Sequence, residues 1–547
     1  MLNQKKLGLG VEDFKEIITF DYYYIDKTKF IEEIIFDGAK IKLFCRPRRF
    51  GKTLNMSTLR YFFDIKNREE NRKLFNNLYI ENSPMISEQG KYPVIFFTMK
   101  DVRGNNFKEF IEDIKLLIIN IIKEYQGLKN MCVPEEIQLF ENLQFRKANL
   151  SELKRALKFI TELLYRKYHQ QVILLIDEYD YPIITAYEKG YYNDIKDFIK
   201  GFYGGVLKTN QYLHMGVLTG IVRVAQAGIF SDLNNIENYT LLNNKYSQYF
   251  GLLEDEVGKS LQDYNVSYKF DEIKAWYNGY KFGDSEVYNP LSILKFLSTQ
   301  ELGAYWIDTS GNVLIKELLK NSDKTVFDTL NNLFNGKKTV VYISQSIALG
   351  NNLSPDDLWE LLLFSGYLTV KEKIDMSTYF VRIPNNEIMT FFKNLFVDII
   401  FNGLGTISRL KLALLTKNLD EIISCLENLV LNVISTYDID KRYENPYQTL
   451  LAGFLYGLEG TYFSIPNFES RDERPGIILK PVVKNKPAYI LELKRLKDRS
   501  VEKELDEALN QIKLNRYDTL LKRKGINDIT NIALVFDKKR VYSKIER

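Results

Sequence analysis

The first residues in this sequence whose types and spacing suggest chemistry are Gly51-Lys52-Thr53. Where a strand runs through a loop into a helix, the loop and helix amides point inward and take phosphate oxygens. The lysine then reaches the β- and γ-phosphates, and the threonine hydroxyl ligates Mg²⁺. The first half of such a loop is irregular here, because Arg46 stands where a glycine is expected. Alone, the three residues also fit a basic loop capping a helix. A second group narrows the choice. "ILLIDE" is an apolar strand ending in Asp177-Glu178. An NTPase needs such a pair opposite its phosphate loop: the first acid serves the Mg²⁺ shell, the second orients or deprotonates the attacking water. Together the two groups point to an ATP site with Mg²⁺. Thr219, in "MGVLTGI", would present a polar group to the γ-phosphate from another strand. Arg223, just beyond, either neutralises phosphate charge or makes a surface ion pair.

A second candidate centre lies near the C-terminus, in "AYILELKRLK". Glu492 and Lys494 are two apart on a strand and so share a face. Glu-x-Lys at a strand end, with an acid on a neighbouring strand, is the arrangement of metal-dependent nucleases: acids hold Mg²⁺ and the lysine helps activate water. A solvated strand face gives the same spelling.

The elements that must position these residues follow from hydrophobic runs and their periods. "IKLFC" (41–45), "YPVIFFTM" (92–99), "QVILLIDEYD" (171–180) and "LHMGVLTGI" (213–221) read as buried strands, separated by helical stretches such as 107–125. Strand–helix alternation predicts an α/β fold with a parallel sheet. From 246 to 435 the pattern is mostly helical. Beyond it come a helix, two strand-like runs ("GIILKPV", "AYILELKR") and a last helix through Tyr517. Three blocks are expected: 1–245, 246–435 and 436–547.

Composition bounds the function classes. The chain has 547 residues, too many for one core. Net charge is +4, from 75 basic and 71 acidic residues, so overall charge makes no case for nucleic acid. Three scattered cysteines exclude a disulfide framework or a zinc site, and two histidines leave chemistry to carboxylates and lysines. No apolar run reaches a membrane span of roughly 18 residues, and the N-terminus has no signal-like core. A cytoplasmic protein without membrane association is expected, and an oligomer is compatible with everything above.

"YYIDKTKFI" (23–31), "CRPRRFGKTLN" (45–55), "LLIDEYDYPI" (174–183) and "LTGIVRVAQAGIFSDLNNI" (218–236) fall in the order and spacing of the bacterial AAA-ATPase-like family, which the chain resembles over essentially its whole length. The later boxes "WYNGYKF" (276–282), "VYNPLSIL" (287–294) and "LLLFSGYLTV" (361–370) are similar to that family too. The family's loop is itself written R-P-R-R-F-G-K-[ST], so Arg46 matches its spelling. The resemblance implies that Lys52 and Thr53 bind phosphate and Mg²⁺, with Asp177 and Glu178 as the Walker B pair. Gly51, Arg48 and Arg49 would add loop contacts. Asp26-Lys27-Thr28 would be either a nucleotide-proximal element or a helix N-cap at Asp26. Trp276, Tyr277 and Tyr280 would pack domain against domain. A lid and a winged-helix element would follow the ATPase core.

The C-terminal region resembles the PD-(D/E)XK nuclease superfamily domain, a small α+β restriction-endonuclease-like fold. That resemblance implies Glu444 as the acid of the first helix, and Gln511 and Tyr517 on the helix after the Glu-x-Lys strand. One departure is critical. The family writes roughly E-S-G-x-G-R-x-D before its first strand, whereas this chain reads "ESRDERPGIIL", with Gly476 at the metal-binding aspartate and Glu473 at a loop glycine. Glycine supplies no oxygen ligand, so lost cleavage is expected unless Asp472 or Glu473 replaces it. DNA or RNA binding survives such a loss. From Lys480 onward, 18 Lys/Arg stand against 10 Asp/Glu, with clusters at 521–525 and 537–544. The leading expectation is an ATPase coupled to a degenerate nuclease-like domain. The alternatives are an active ATP-regulated, Mg²⁺-dependent endonuclease and a nucleotide-switch scaffold with little hydrolysis.

Overall fold

The computed structural model describes residues 4–223, 235–306, 315, 318–319, 324–334, 336–345, 355–401, 404–436, 457–466, 477–496, 500–514, 517–536 and 540–546. The chain divides into two compact units, Met1–Met389 and Thr390–Arg547. The block expected over 246–435 is thus shared between them.

The first unit is built on five parallel strands: β1 (Ile41–Cys45), β2 (Val94–Thr98), β3 (Val172–Asp177), β4 (Leu213–Gly220) and β5 (Ile236–Tyr239). Their order is β2-β3-β4-β1-β5. Every residue of β1 and β3 is buried, as expected for strands covered by helices on both faces. β4 lies between β1 and β3. Its register pairs Thr219 with Phe44 and Gly220 with Cys45, while Leu218 pairs with Ile176. The ends of β1, β3 and β4 therefore converge on one edge, where ligands of open α/β sheets bind. β5, spelled Ile-Glu-Asn-Tyr, was not expected, because two polar residues in four hide the apolar signal.

The middle region is less helical than its sequence suggests. A hairpin, β6 (Tyr280–Phe282) and β7 (Ser285–Val287), is followed by an antiparallel sheet of β8 (Thr339–Tyr342), β9 (Thr369–Lys373) and β10 (Thr378–Arg382), ordered β8-β10-β9. The helices Lys324–Phe334 and Pro355–Phe364 accompany these strands. The three strands are only four or five residues long and half-exposed, and β9 carries two lysines, so no long apolar run marks them. The "WYNGYKF" box packs within this unit: Tyr280 and Phe282 lie against Phe50, with ring centroids 4.9 and 5.2 Å away.

The second unit carries β11 (Tyr462–Pro466), β12 (Ile477–Pro481), β13 (Ala488–Arg495), β14 (Ile529–Phe536) and β15 (Val541–Glu546), a mixed sheet in sequence order with only β13 and β14 parallel. Two of these five were expected. The helix Val501–Leu514 packs Leu505, Ala508 and Ile512 against Ile490, Ala533 and Val535. Among the described residues no helix is long and apolar enough to cross a membrane.

Gly279 shows how tightly the middle region is closed. Its φ is +91°, and a Cβ there would lie 2.2 Å from the Pro384 carbonyl oxygen. Asn385 Nδ2 also donates to the Asn278 carbonyl at 2.8 Å. Gly279→Ala is expected to cost about 2 kcal/mol or more of stability, read as a fall in melting temperature. Gly38→Ala, in open space, should leave it nearly unchanged. Equal melting of the two variants would refute the close approach.

Candidate functional site

β1 delivers the chain into the loop 46–51, and the helix Lys52–Phe63 begins at once. Gly51 adopts φ 81°, ψ 16° at the N-cap, a left-handed conformation that glycine takes without strain. No side chain caps this helix, and its first bond runs from the Asn55 amide to the Gly51 carbonyl at 3.0 Å. The first-turn amides are thus left for an anion. Lys52 is buried, and its Nζ donates to the carbonyls of Arg46 (3.0 Å) and Pro47 (2.9 Å). Burial lowers the lysine pKa. Glu178, then Asp177 and Asp180, oppose that shift.

The three loop arginines separate. Arg46 is fully buried, and its Nη1 donates to the carbonyls of Cys45 (3.0 Å) and Tyr239 (2.7 Å). Its guanidinium lies 5.0 and 5.4 Å from the ring centroids of Phe250 and Phe282. The side chain ties β1 to β5. Arg49, at φ 67°, pairs with Glu12 at 3.1 Å on the surface. Arg48 is half-buried, and its charge is felt by both Lys52 and Tyr367.

The acids stand at the end of β3. Asp177 is buried; its Oδ2 accepts from the Thr53 hydroxyl at 2.8 Å and its Oδ1 from the Thr219 hydroxyl. Burial raises its pKa, and the two hydroxyls pull it back. Glu178 follows at φ 50°, a strained conformation for a non-glycine residue. Its amide donates to Thr219 Oγ1 at 3.3 Å, and the Tyr179 amide donates to the Thr219 carbonyl at 2.9 Å. Asp180 is buried too, and its Oδ2 accepts from the amides of Ile221 (2.7 Å) and Val222 (3.0 Å). Arg223 is the next residue, half-buried, and its charge reaches Cys45. A Cβ on Gly220 would sit 2.6 Å from the Tyr179 ring and 2.8 Å from Asp180 Oδ1, so this turn tolerates only glycine.

Asp26-Lys27-Thr28 is a brace. Asp26 Oδ1 accepts from the Thr28 amide and hydroxyl, its Oδ2 accepts from the Tyr79 amide at 2.6 Å, and Thr28 Oγ1 accepts from the Ile80 amide. The N-cap of the following helix is Thr28, not Asp26. Lys27 donates to both Glu256 oxygens and to the Gln248 carbonyl. It also edges a mostly apolar cavity of about 110 Å³ beside Gly51, walled by Tyr24, Ile25, Leu54, Tyr249 and Leu252.

In the second unit Glu492 is buried on β13, and Lys494, on the same strand face, has its Nζ 3.2 Å from Glu507 Oε1. Gln511 lies one turn beyond Glu507 on the helix Val501–Leu514. That helix ends at Leu514, so Tyr517 opens a separate helix, Tyr517–Lys522, and does not share one with Gln511 as expected. Glu444, Asp472, Glu473 and Gly476 lie outside the described residues.

Residues 8–230 match the family model described as "Predicted AAA-ATPase", and residues 442–546 match that of the PD-(D/E)XK nuclease superfamily. The chain joins an AAA-ATPase-like domain to a nuclease-superfamily domain. It is similar to the "Uncharacterized protein in vnfD 5'region" of Azotobacter chroococcum mcd 1, with 26% identity over 393 residues, 71% of this chain and 69% of that protein. Within the AAA-ATPase-like domain, the structure brings Lys52, Thr53, Asp177, Glu178 and Thr219 to one place. It adds Asp180, which sequence reasoning passed over. A carboxylate clamping two amides forty residues away has no sequence signal beyond being the third acid of "DEYD". In the nuclease-superfamily domain part of the basic surface is neutralised: Lys522 pairs with Asp518, and Lys544 with Glu502 and Asp506.

Burial pushes Asp180 up to about 6 from 3.8, opposed by its two amide bonds and Lys52. Below about pH 4 the group is protonated folded and unfolded. Between 4 and 6 the unfolded chain releases a proton that the folded chain keeps, so stability falls as pH rises; above 6 the penalty is constant. The stability difference between wild type and Asp180→Asn should shrink by about 3 kcal/mol across that window. A difference independent of pH from 4 to 7 in denaturant titrations would refute this.

Proposed function

We propose that the first unit binds and hydrolyses ATP, and that the nuclease-superfamily domain serves as its nucleic-acid-binding module. The observation carrying the reading is the Asp177 carboxylate, held between Thr53 at the head of the loop helix and Thr219 on β4, beside the buried Lys52. A carboxylate and a hydroxyl are the oxygen donors Mg²⁺ accepts, so Thr53 and Asp177 fit the ion. When bound with the nucleotide, Mg²⁺ neutralises phosphate charge. Lys52 exchanges the Arg46 and Pro47 carbonyls for phosphate oxygens, which relieves a buried cation of its charge penalty. The uncapped amides after Gly51 take further oxygens. Glu178 orients water. Thr219 and Arg223, anchored through Asp177 and Asp180, respond to the γ-phosphate. The apolar cavity beside Gly51 receives the base.

Lys52→Ala should abolish nucleotide binding. Glu178→Gln should keep binding within a few-fold while lowering kcat by roughly 10²–10⁴. Equilibrium binding of a fluorescent ATP analogue and phosphate release separate the two effects. Turnover unaffected by Lys52→Ala would remove the reading, and a wild-type rate no higher than that of Glu178→Gln would favour a nucleotide switch.

For the second unit, Lys494 already engaged by Glu507 and glycine at position 476 support binding over cutting. Plasmid incubated with the protein and Mg²⁺ or Mn²⁺ should stay supercoiled. Nicking that disappears in Glu492→Ala would instead establish an active nuclease.

A further inference from the structure

The β8-β10-β9 sheet of the first unit has a surface that the nucleotide site does not use. Its sheet turns Thr339, Val341, Tyr379 and Val381 inward, all buried. The opposite face carries Val340 and Tyr342, 51% and 50% exposed, beside the partly exposed Phe380 of β10. Register pairs Val340 with Phe380 and Tyr342 with Thr378, so these side chains form one patch across two adjacent strands. At the β9–β10 turn Ile374 is 47% and Met376 86% exposed. Isolated apolar residues on a surface need no explanation, but a contiguous aromatic and aliphatic patch does.

Charge identifies the occupant. Residues 336–345 and 369–382 hold Lys337, Lys338, Lys371, Lys373 and Arg382, all exposed, against Glu372 and Asp375. Lys338 Nζ lies 5.0 Å from the Phe380 centroid and 3.9 Å from Glu372, and Arg382 reaches Glu286 at 3.6 Å. Aromatic faces ringed by cations are how proteins hold unpaired bases with their phosphates. A duplex does not fit. The helix Pro355–Phe364, which would have to enter a groove, contains no Lys or Arg. Its Leu358, Trp359 and Leu362 are buried, and Glu360 is spent accepting from the Ser344 amide and hydroxyl.

We propose that the outer face of the β8-β10-β9 sheet binds single-stranded DNA, with bases stacked on Tyr342 and Phe380 and the phosphate chain tracked by Lys338 and Lys371. This surface is distinct from the basic C-terminal clusters and does not depend on ATP hydrolysis. Its position also has a consequence: β9 meets the β6–β7 hairpin, where the Lys281 amide donates to Thr369 Oγ1 at 2.8 Å. The same hairpin packs on Phe50 of the phosphate loop.

The test is fluorescence anisotropy of a labelled oligo-dT of about twelve nucleotides with the full chain. Tyr342→Ala and the double variant Lys338→Ala/Lys371→Ala are compared with wild type. Tyr268→Ala, an exposed aromatic elsewhere in the unit, is the control, and Lys522→Ala/Arg523→Ala/Lys524→Ala measures the separate share of the C-terminal cluster. The expected result is at least a tenfold loss with Tyr342→Ala, a shallower salt dependence with the double lysine variant, and no loss with Tyr268→Ala. Ultraviolet crosslinking of a bromodeoxyuridine oligonucleotide should map to Tyr342 or Phe380. Loss confined to the C-terminal variant would overturn the proposal, as would tighter binding of the matching RNA. So would an oligomer dissolved by Tyr342→Ala with DNA binding intact, which would make the face a protein contact.

Discussion

The Asp177 carboxylate, gripped by two threonine hydroxyls from different elements, is the constraint on which the rest of the first unit depends. A buried carboxylate is costly unless its oxygens are hydrogen-bonded. Here the two donors arrive from the loop helix after β1 and from β4. Both can do so only because β4 runs between β1 and β3, in a register that brings Thr219 level with the end of β3. The sheet order is thus part of the site. Asp180 repeats the device one turn later, clamping the backbone that leads to Arg223. Two buried acids and one buried lysine face each other across a few residues, and each is satisfied by neutral donors or acceptors. Such an arrangement is satisfied from within the fold.

The loop is shaped from outside as much as by its own residues. Phe50 packs on Tyr280 and Phe282, Arg46 is buried against Phe250 and Phe282, and Pro47 abuts Gly366, where a Cβ would lie 3.0 Å away. Tyr367, next along, stacks near Trp306 and senses the Arg48 charge. The boxes 276–282 and 361–370 therefore serve as the outer wall of the phosphate loop. Movement of that wall and occupancy of the loop are mechanically linked, because close-packed side chains shift together.

The second unit follows a simpler rule. Strand alternation sends Ala488 and Ile490 to the helix Val501–Leu514, and the same parity delivers Glu492 and Lys494 to that face at the strand's end. The core and the polar centre are successive stretches of one strand face.

The sequence by itself determined the parts whose signal is local. The apolar runs of β1 to β4, the glycine that opens the loop helix, the Lys52-Thr53 and Asp177-Glu178 pairs, and the strand bearing Glu492 and Lys494 were all legible. Each is written within a few consecutive residues by burial on two faces, by positive φ, or by period-two alternation. The tertiary structure alone decided which of the three loop arginines turns into the core, since that depends on Phe250 and Phe282, two hundred residues away. It alone gave Asp180 its role, because the amides it holds belong to another strand. It also placed the short, half-polar strands β5 and β8 to β10, whose stability comes from neighbours and not from their own composition. Local periodicity records how much of an element is buried. What buries it is settled only when distant segments meet.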